Sequence, residues 1–329
     1  MNPDAIMECV PNFSEGSDEE KVREIIASMK VEGVRLLDWS MDRAHNRSVV
    51  TIAGAPDAVV EAAVRSVGRA AQLIDLTGQS GVHPRIGAAD VVPFVPVSGI
   101  SLAQCALLAR QAGLQIWRRY GVPVYFYGAS AARPDRVHLE DVRRGQFEGL
   151  REASLRDVAR RPDVGGPELH PQAGASVVGA RSFLIAYNLH IRQGGGIGDQ
   201  TERNGAHTGR AVLPLQPEIT AARAIARDLR ASNGGLRGVK AIGVIANGRA
   251  QVSMNITDYR ATPMGKVYAT AKELARRHGV VIEDGELIGL IPEDAFEPDS
   301  EWVRQTSGLD PEAKVLERKL LAPLVWPTD

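Results

Sequence analysis

"GVKAIGVIANGRAQVSMNITD", residues 238–258, consists of two short β-branched runs on either side of Asn247–Gly248. Asn-Gly accepts the left-handed backbone of a two-residue turn, so the stretch reads as a β-hairpin. Upstream, "PEITAARAIARDLRAS" (217–232) repeats its apolar residues at helical period. Downstream, "PMGKVYATAKELARRHG" (263–279) does the same and stops at Gly279, a natural helix cap. A strand, "SFLIAYNLHI" (182–191), precedes this set, and another, "VIEDGELIGLIP" (281–292), closes it. The order is β-α-β-β-α-β.

The first half is written in a similar order. "IMECVPNF" (6–13) is followed by a helix whose start has capping-box spacing, Ser17 to Glu20. "VRLLDW" and "RSVVTIAG" read as two strands joined by a polar turn. A helix begins at Pro56, and "DVVPFVPV" (90–97) is a strand whose prolines cannot donate to a ladder, which predicts an edge or bulged position. A helix at about 101–120 and the strand "VPVYFYG" (122–128) complete this half. The expected class is α+β. Two similar subdomains, 1–180 and 181–329, each carry a mixed or antiparallel sheet with helices on its outer face. Bare sheet faces that oppose one another would leave a cleft.

The 329 residues carry a net charge of −1, with 44% hydrophobic and 24% charged residues. That balance argues against a general nucleic-acid binder, whose domain would be distinctly basic. No apolar run reaches the roughly 18 residues needed to span a bilayer. Nothing at the N-terminus resembles a secretory leader, so the chain reads as cytosolic, with no membrane partner. The cysteines, Cys9 and Cys105, have no metal-like spacing, and no metal is expected. Phosphate-loop, zinc-peptidase, nucleophile-elbow and redox Cys motifs are all absent.

Among seven histidines, His83 stands out. Pro84 biases it toward an extended backbone, while Gly81 and Gly87 permit tight turns around it. Arg85 is placed to hold a carboxylate beside the ring. An imidazole near its ordinary pKa of about 6.5 can take and return a proton at cellular pH. The alternative is a loop residue of no consequence. His190 at a strand end and His278 at a helix C-terminus read as structural, and His138 and His207 as surface residues. A glycine-rich, aperiodic stretch at about 192–216 is either a mobile surface loop or a lid, with Arg203 and Arg210 able to meet an anionic ligand.

"MECVPNFSEG" (7–16), "HNRSVVTIAG" (45–54), "GVHPRIGAADVVPFVPV" (81–97), "VPVYFYGASAARPDR" (122–136) and "GARSFLIAYNLHI" (179–191) closely resemble the formiminotransferase family. The resemblance continues through "GVKAIGV", "AQVSMNITDY" and "GELIGLIP" and so covers nearly the whole chain. It implies two facing sheets with a ligand tunnel, and the formiminotransferase domain without the cyclodeaminase domain fused to it in some members. The implied activity is that of a glutamate formimidoyltransferase, moving a formimino group between N-formimino-L-glutamate and tetrahydrofolate in histidine degradation. Tetrahydrofolate enters as co-substrate, and the expected assembly is a homodimer.

By the same resemblance the catalytic histidine is His83. The folate-contacting segment is Pro162, Asp163, Val164, Gly165, Gly166, Pro167, Glu168, Leu169, His170 and Pro171. Asp163 and the two glycines match the family well, whereas Leu169 and His170 depart from it. Asn46 and Arg47 either bind a substrate carboxylate or make an internal salt bridge. Asp38 is a supporting candidate. Ser40 and Val82 stand where vertebrate members carry acidic residues, which weakens the basicity expected of His83 unless Asp42 or Asp90 substitutes. Two other readings remain open: formyl transfer from 5-formyltetrahydrofolate to glutamate, and a folate-binding protein without transferase activity.

Overall fold

The computed structural model describes residues 2, 4–79, 84–194, 216–323 and 326. Gly81, Val82 and His83 lie outside the described residues, as do His207, Arg203, Arg210 and most of the glycine-rich stretch. The chain divides into two compact units, one of residues 1–183 with the terminal residues 320–329, the other of residues 184–319.

In the first unit β1 (Ile6–Cys9) and β2 (Asn12–Phe13) act as one strand broken at Val10–Pro11. α1 (Glu19–Ser28) follows, then β3 (Val34–Asp42), β4 (Arg47–Gly54), α2 (Pro56–Leu73), β5 (Ala89–Ser98), α3 (Leu102–Tyr120) and β6 (Val124–Gly128). Two short helices, α4 (Leu139–Val142) and α5 (Gln146–Arg156), precede β7 (Ser176–Ala180). β4 lies between β3 and the broken β1–β2 strand, β5 follows, and β7 sits between β5 and β6. The β5–β7–β6 side is parallel and the rest antiparallel. Helices α1, α2 and α3 pack together over one face, burying Val22, Ile25, Val59, Val67, Cys105 and Ile116 against Ile52, Phe94 and Val178.

The proline-bearing strand β5 is interior, not an edge. It pairs with β1 and β2 on one side and with β7 on the other. Pro93 is tolerated because it lies opposite the break at Val10–Pro11, where its carbonyl accepts the Val10 N–H at 3.2 Å. Pro96 lies past the stretch of β5 that β7 covers, next to a bulge. The expected bulges are present, one there and one beside Asp90. The α1 cap also differs from expectation. Asp18, not Ser17, is the cap and accepts the Glu20 and Lys21 N–H groups, while both Ser17 and Asp18 donate their own N–H to Glu15 Oε1. Strand β7, a short small-residue run, has no counterpart in the sequence reading.

The second unit starts with β8 (Ile185–Gln193) and continues with α6 (Gln216–Leu229), β9 (Val239–Ala246), β10 (Arg249–Ile256), α7 (Met264–Arg277) and β11 (Val280–Ile288). Three short helices follow, α8 (Glu301–Gln305), α9 (Pro311–Lys314) and α10 (Leu316–Leu321). The sheet is antiparallel in the order β11-β8-β10-β9, with α6 and α7 on one face. Asn247 and Gly248 have φ of 50° and 71°, the two left-handed positions the hairpin turn demands. His190 is structural as read, its Nδ1 2.7 Å from Asp284 Oδ1. His278 caps α7.

Both units are therefore α+β sheets covered by helices on one face, with seven strands in the first and four in the second among the described residues. Among the described residues no helix is long and apolar enough to cross a membrane, and no three His, Cys, Asp or Glu side chains gather as metal ligands.

Candidate functional site

The segment carrying His83 leaves a 3-10 turn at Leu76–Gly78 and returns at Pro84. Both ends are held firmly. On the outgoing side Asp75 Oδ1 accepts the Thr77 N–H at 2.9 Å, and the Leu76 N–H donates to the Gln172 carbonyl at 2.9 Å. The Gln79 amide donates to Glu15 Oε2 at 3.1 Å and accepts from Asn46 Nδ2 at 3.1 Å. Asn46 adopts a left-handed backbone, φ 46°, and its Oδ1 accepts the Gly16 N–H. Asn46 thus ties the β3–β4 turn to Gln79, the last described residue before the loop.

On the returning side, the Ile86 N–H donates to Asp90 Oδ1 at 2.8 Å and the Phe147 N–H to the Arg85 carbonyl at 2.8 Å. The Arg85 guanidinium bridges the two ends. It is almost wholly buried and donates through Nη2 to the Gln79 carbonyl at 2.7 Å and to Glu148 at 3.0 Å. The carboxylate Arg85 holds is therefore Glu148, and its guanidinium also clamps the backbone across the loop.

Arg47 opens β4, opposite Asp42 of β3 and two residues before Val49, which pairs with Asn12 of β2. Its Nε donates to Asn12 Oδ1 at 3.0 Å and its Nη1 to Asp90 Oδ2 at 2.9 Å. Of the two roles left open for Arg47, the internal salt bridge is the one observed. Burial, helped by the neighbouring charge of Arg143, lowers its pKa to about 10 against the opposing pull of Asp90. Arg143, at the end of α4, donates to the same Asp90 oxygen. Burial pushes the Asp90 carboxyl up, but Arg143 and Arg47 outweigh it and hold it below the ordinary carboxylate range. Asp42 is committed to His45, 3.1 Å from its Nδ1, and Asp38 lies half-buried on β3 beside a bulge.

The 162–171 segment runs from β6 to the root of that loop. The Asp163 and Val164 N–H groups both donate to the Val124 carbonyl. The Asp163 carboxylate accepts the Phe126 N–H at 2.8 Å and pairs with buried Arg136 at 2.6 Å, so it is a fastening for β6. Gly165, at φ 77°, lies against the Trp117 ring, where a Cβ would come within 2.6 Å, and Gly166 crowds Pro162. Gly166–Pro167 is cis. Gly166, Pro167, Glu168 and Pro171 are exposed, and Leu169 is buried in the core. His170 Nδ1 accepts the Ala173 N–H at 2.9 Å, which leaves its proton on Nε2, and burial lowers its pKa. It closes a turn to Gly174, whose φ of 68° and approach to the Ile86 carbonyl leave no room for a side chain.

Beyond that turn, the Ala88 N–H donates to the Ala173 carbonyl and the Ala175 N–H to that of Ile86. The residues that follow the segment, Gln172, Ala173 and Ala175, are thus hydrogen-bonded to both roots of the His83 loop, at Leu76 and at Ile86–Ala88. Asn46, Arg47 and Arg85 gather at the same roots, whereas Asp163 sits at the far end against β6. The sequence reading missed Glu15, Gln79 and Arg143. For Arg143 the available signal was its place in "EDVRRGQFEGL", a short polar run with two adjacent arginines.

Two family models match the chain: the N-terminal subdomain of the formiminotransferase domain over residues 6–181, and the formiminotransferase domain over residues 206–314. The glutamate formimidoyltransferase of Streptococcus pyogenes serotype M1 is 39% identical over 319 residues, 96% of this chain and 99% of that protein. That of Thermoplasma acidophilum is 38% identical over 323 residues, covering 96% and 97%. The formimidoyltransferase-cyclodeaminase of Rattus norvegicus is 36% identical over 290 residues, 87% of this chain and 50% of that longer protein.

Proposed function

Because this chain belongs to the formiminotransferase family, we propose that it transfers the formimino group between N-formimino-L-glutamate and tetrahydrofolate, with His83 as the proton carrier. In the forward direction N5 of tetrahydrofolate attacks the formimino carbon, a new N5–C bond forms, and the C–N bond to glutamate breaks. The proton leaving N5 passes to His83 and returns to the departing glutamate nitrogen. The products are 5-formiminotetrahydrofolate and L-glutamate.

The observation that carries this reading is the junction at Gln172–Ala175. Those residues directly follow the segment expected to contact folate and are bonded to both roots of the loop expected to carry the catalytic base. Ends held at Gln79 and Arg85 support a base placed between them, and fixed placement is where much of such a rate gain comes from. Asn46 and Arg85 support that loop: one fixes Gln79 from the side, the other closes its ends.

Turnover measured with two substrate pairs tests the reading. N-formimino-L-glutamate with tetrahydrofolate should release one L-glutamate per 5-formiminotetrahydrofolate formed. Turnover confined to 5-formyltetrahydrofolate with glutamate would replace formimino transfer by formyl transfer. Tight folate binding without turnover of either pair would leave a binding protein.

A further inference from the structure

Two guanidinium groups, Arg47 from β4 and Arg143 from the end of α4, share the carboxylate of Asp90 on β5. Asp90 has no exposure and accepts from both Arg47 and Arg143 through Oδ2, while its Oδ1 is taken by the Ile86 N–H. One aspartate neutralises one arginine, so these three side chains carry an excess positive charge. The Arg47 and Arg143 side chains are only 9% and 12% exposed. Arg143 Nε is fully buried and has no hydrogen-bond partner. A second cation on a carboxylate already satisfied by the first is poor stabilising design, because removing a charge from water costs more than a shared partner returns. A buried donor left without an acceptor adds to that cost.

The cluster is bonded to the returning root of the His83 loop. Asp90 is bonded to Ile86, three residues after His83, and the Phe147 N–H that follows the Arg143–Arg144 turn holds the Arg85 carbonyl. Burial pushes the Tyr127 phenol on β6 up, and the charges of Arg181 and Arg143 offset part of that push. Arginine's planar fork suits a carboxylate, and a third, anionic partner would balance the charge while occupying the free Nε donor.

We propose that Arg143, braced by Asp90 and Arg47, receives a carboxylate of a glutamyl group, supplied either by the formimino donor or by the glutamate tail of the folate. This rests on the transfer reading for which substrates meet here, and its test separates the two. Arg143→Gln leaves Asp90 paired with Arg47 alone, a balanced pair, so the fold should survive. The variant should raise KM for one of the two substrates by about 10- to 100-fold, the loss of a hydrogen bond to a charged group, with kcat changed far less.

Which KM rises identifies the source. A rise for N-formimino-L-glutamate assigns the donor carboxylate. A rise for tetrahydrofolate, absent when tetrahydropteroate without its glutamyl tail replaces it, assigns the folate tail. Arg143→Lys, which keeps the charge but loses the fork, should show the same split at smaller size and serves if the glutamine variant does not fold. If the wild type turns over neither substrate pair, the same contrast is read by calorimetric binding of L-glutamate and of folinate to wild type and variant. Unchanged KM values, or unchanged affinities for both ligands, would overturn the assignment and leave the transfer reading intact.

Discussion

In the first unit Arg47 meets Asp90 at 2.9 Å with almost no exposure on either side chain, whereas in the second Arg249 meets Asp284 at 2.8 Å with 38% of its side chain in water. The distances barely differ, and the consequences differ greatly. Three further pairs of the second unit, Lys272–Glu301, Arg260–Asp294 and Arg318–Glu293, are also solvent-facing. An exposed pair is worth about 0–1 kcal/mol, because water screens it and two long side chains must be held still. A buried pair need not stabilise at all relative to apolar packing, yet breaking one half of it strands a charge and costs about 3–5 kcal/mol. Charges kept at such expense around the roots of one loop support the proposed placement of the chemistry in the first unit.

The sharpest break of this contrast is at the loop itself. His83→Ala should cut turnover by about 10² to 10⁴ while leaving the unfolding midpoint in place, the range for a lost general acid–base group. A variant turning over at close to the wild-type rate would end the assignment of His83.

Next in size is Asp90→Ala, which strands Arg47 and Arg143 together. Urea unfolding should show a loss of about 3–5 kcal/mol. The pH dependence has a definite sign. The folded-state pKa of Asp90 is depressed, so its contribution is present above the unfolded value of about 3.9 and fades as pH falls through the folded one. Asp90→Ala should therefore flatten the acid limb of the stability profile below about pH 4. A limb of unchanged steepness would show that Asp90 is not what the acid titrates.

The smallest effect belongs to the second unit. Lys272→Ala should cost no more than about 0.5 kcal/mol by the same unfolding measurement. A cost as large as that of Asp90→Ala would erase the distinction between the units.

What was legible in the sequence divides along the same line. The hairpin at Asn247–Gly248 was readable because two consecutive left-handed residues leave few choices of side chain. The helices beginning at Pro56 and ending at Gly279 were readable from period and caps. β5 was misplaced because a proline constrains only its own donor, and the break in the partner strand that accommodates Pro93 is tertiary information. β7 was missed because "SVVGA" is too short and too small to show a period. The family blocks marked His83 and the 162–171 segment. The buried cluster was invisible because Arg47, Asp90 and Arg143 are 43 and 53 residues apart and ordinary as residue types.

The central claim, that the clamped loop and the 162–171 segment form one folate site, is tested most directly by hydrogen exchange with and without folinate. The account predicts added protection at amides of residues 75–79, 84–88 and 162–175, together and at one ligand concentration, with α1 and α7 unchanged. Protection confined to α6 and α7, or none in the first unit at saturating folinate, would contradict it.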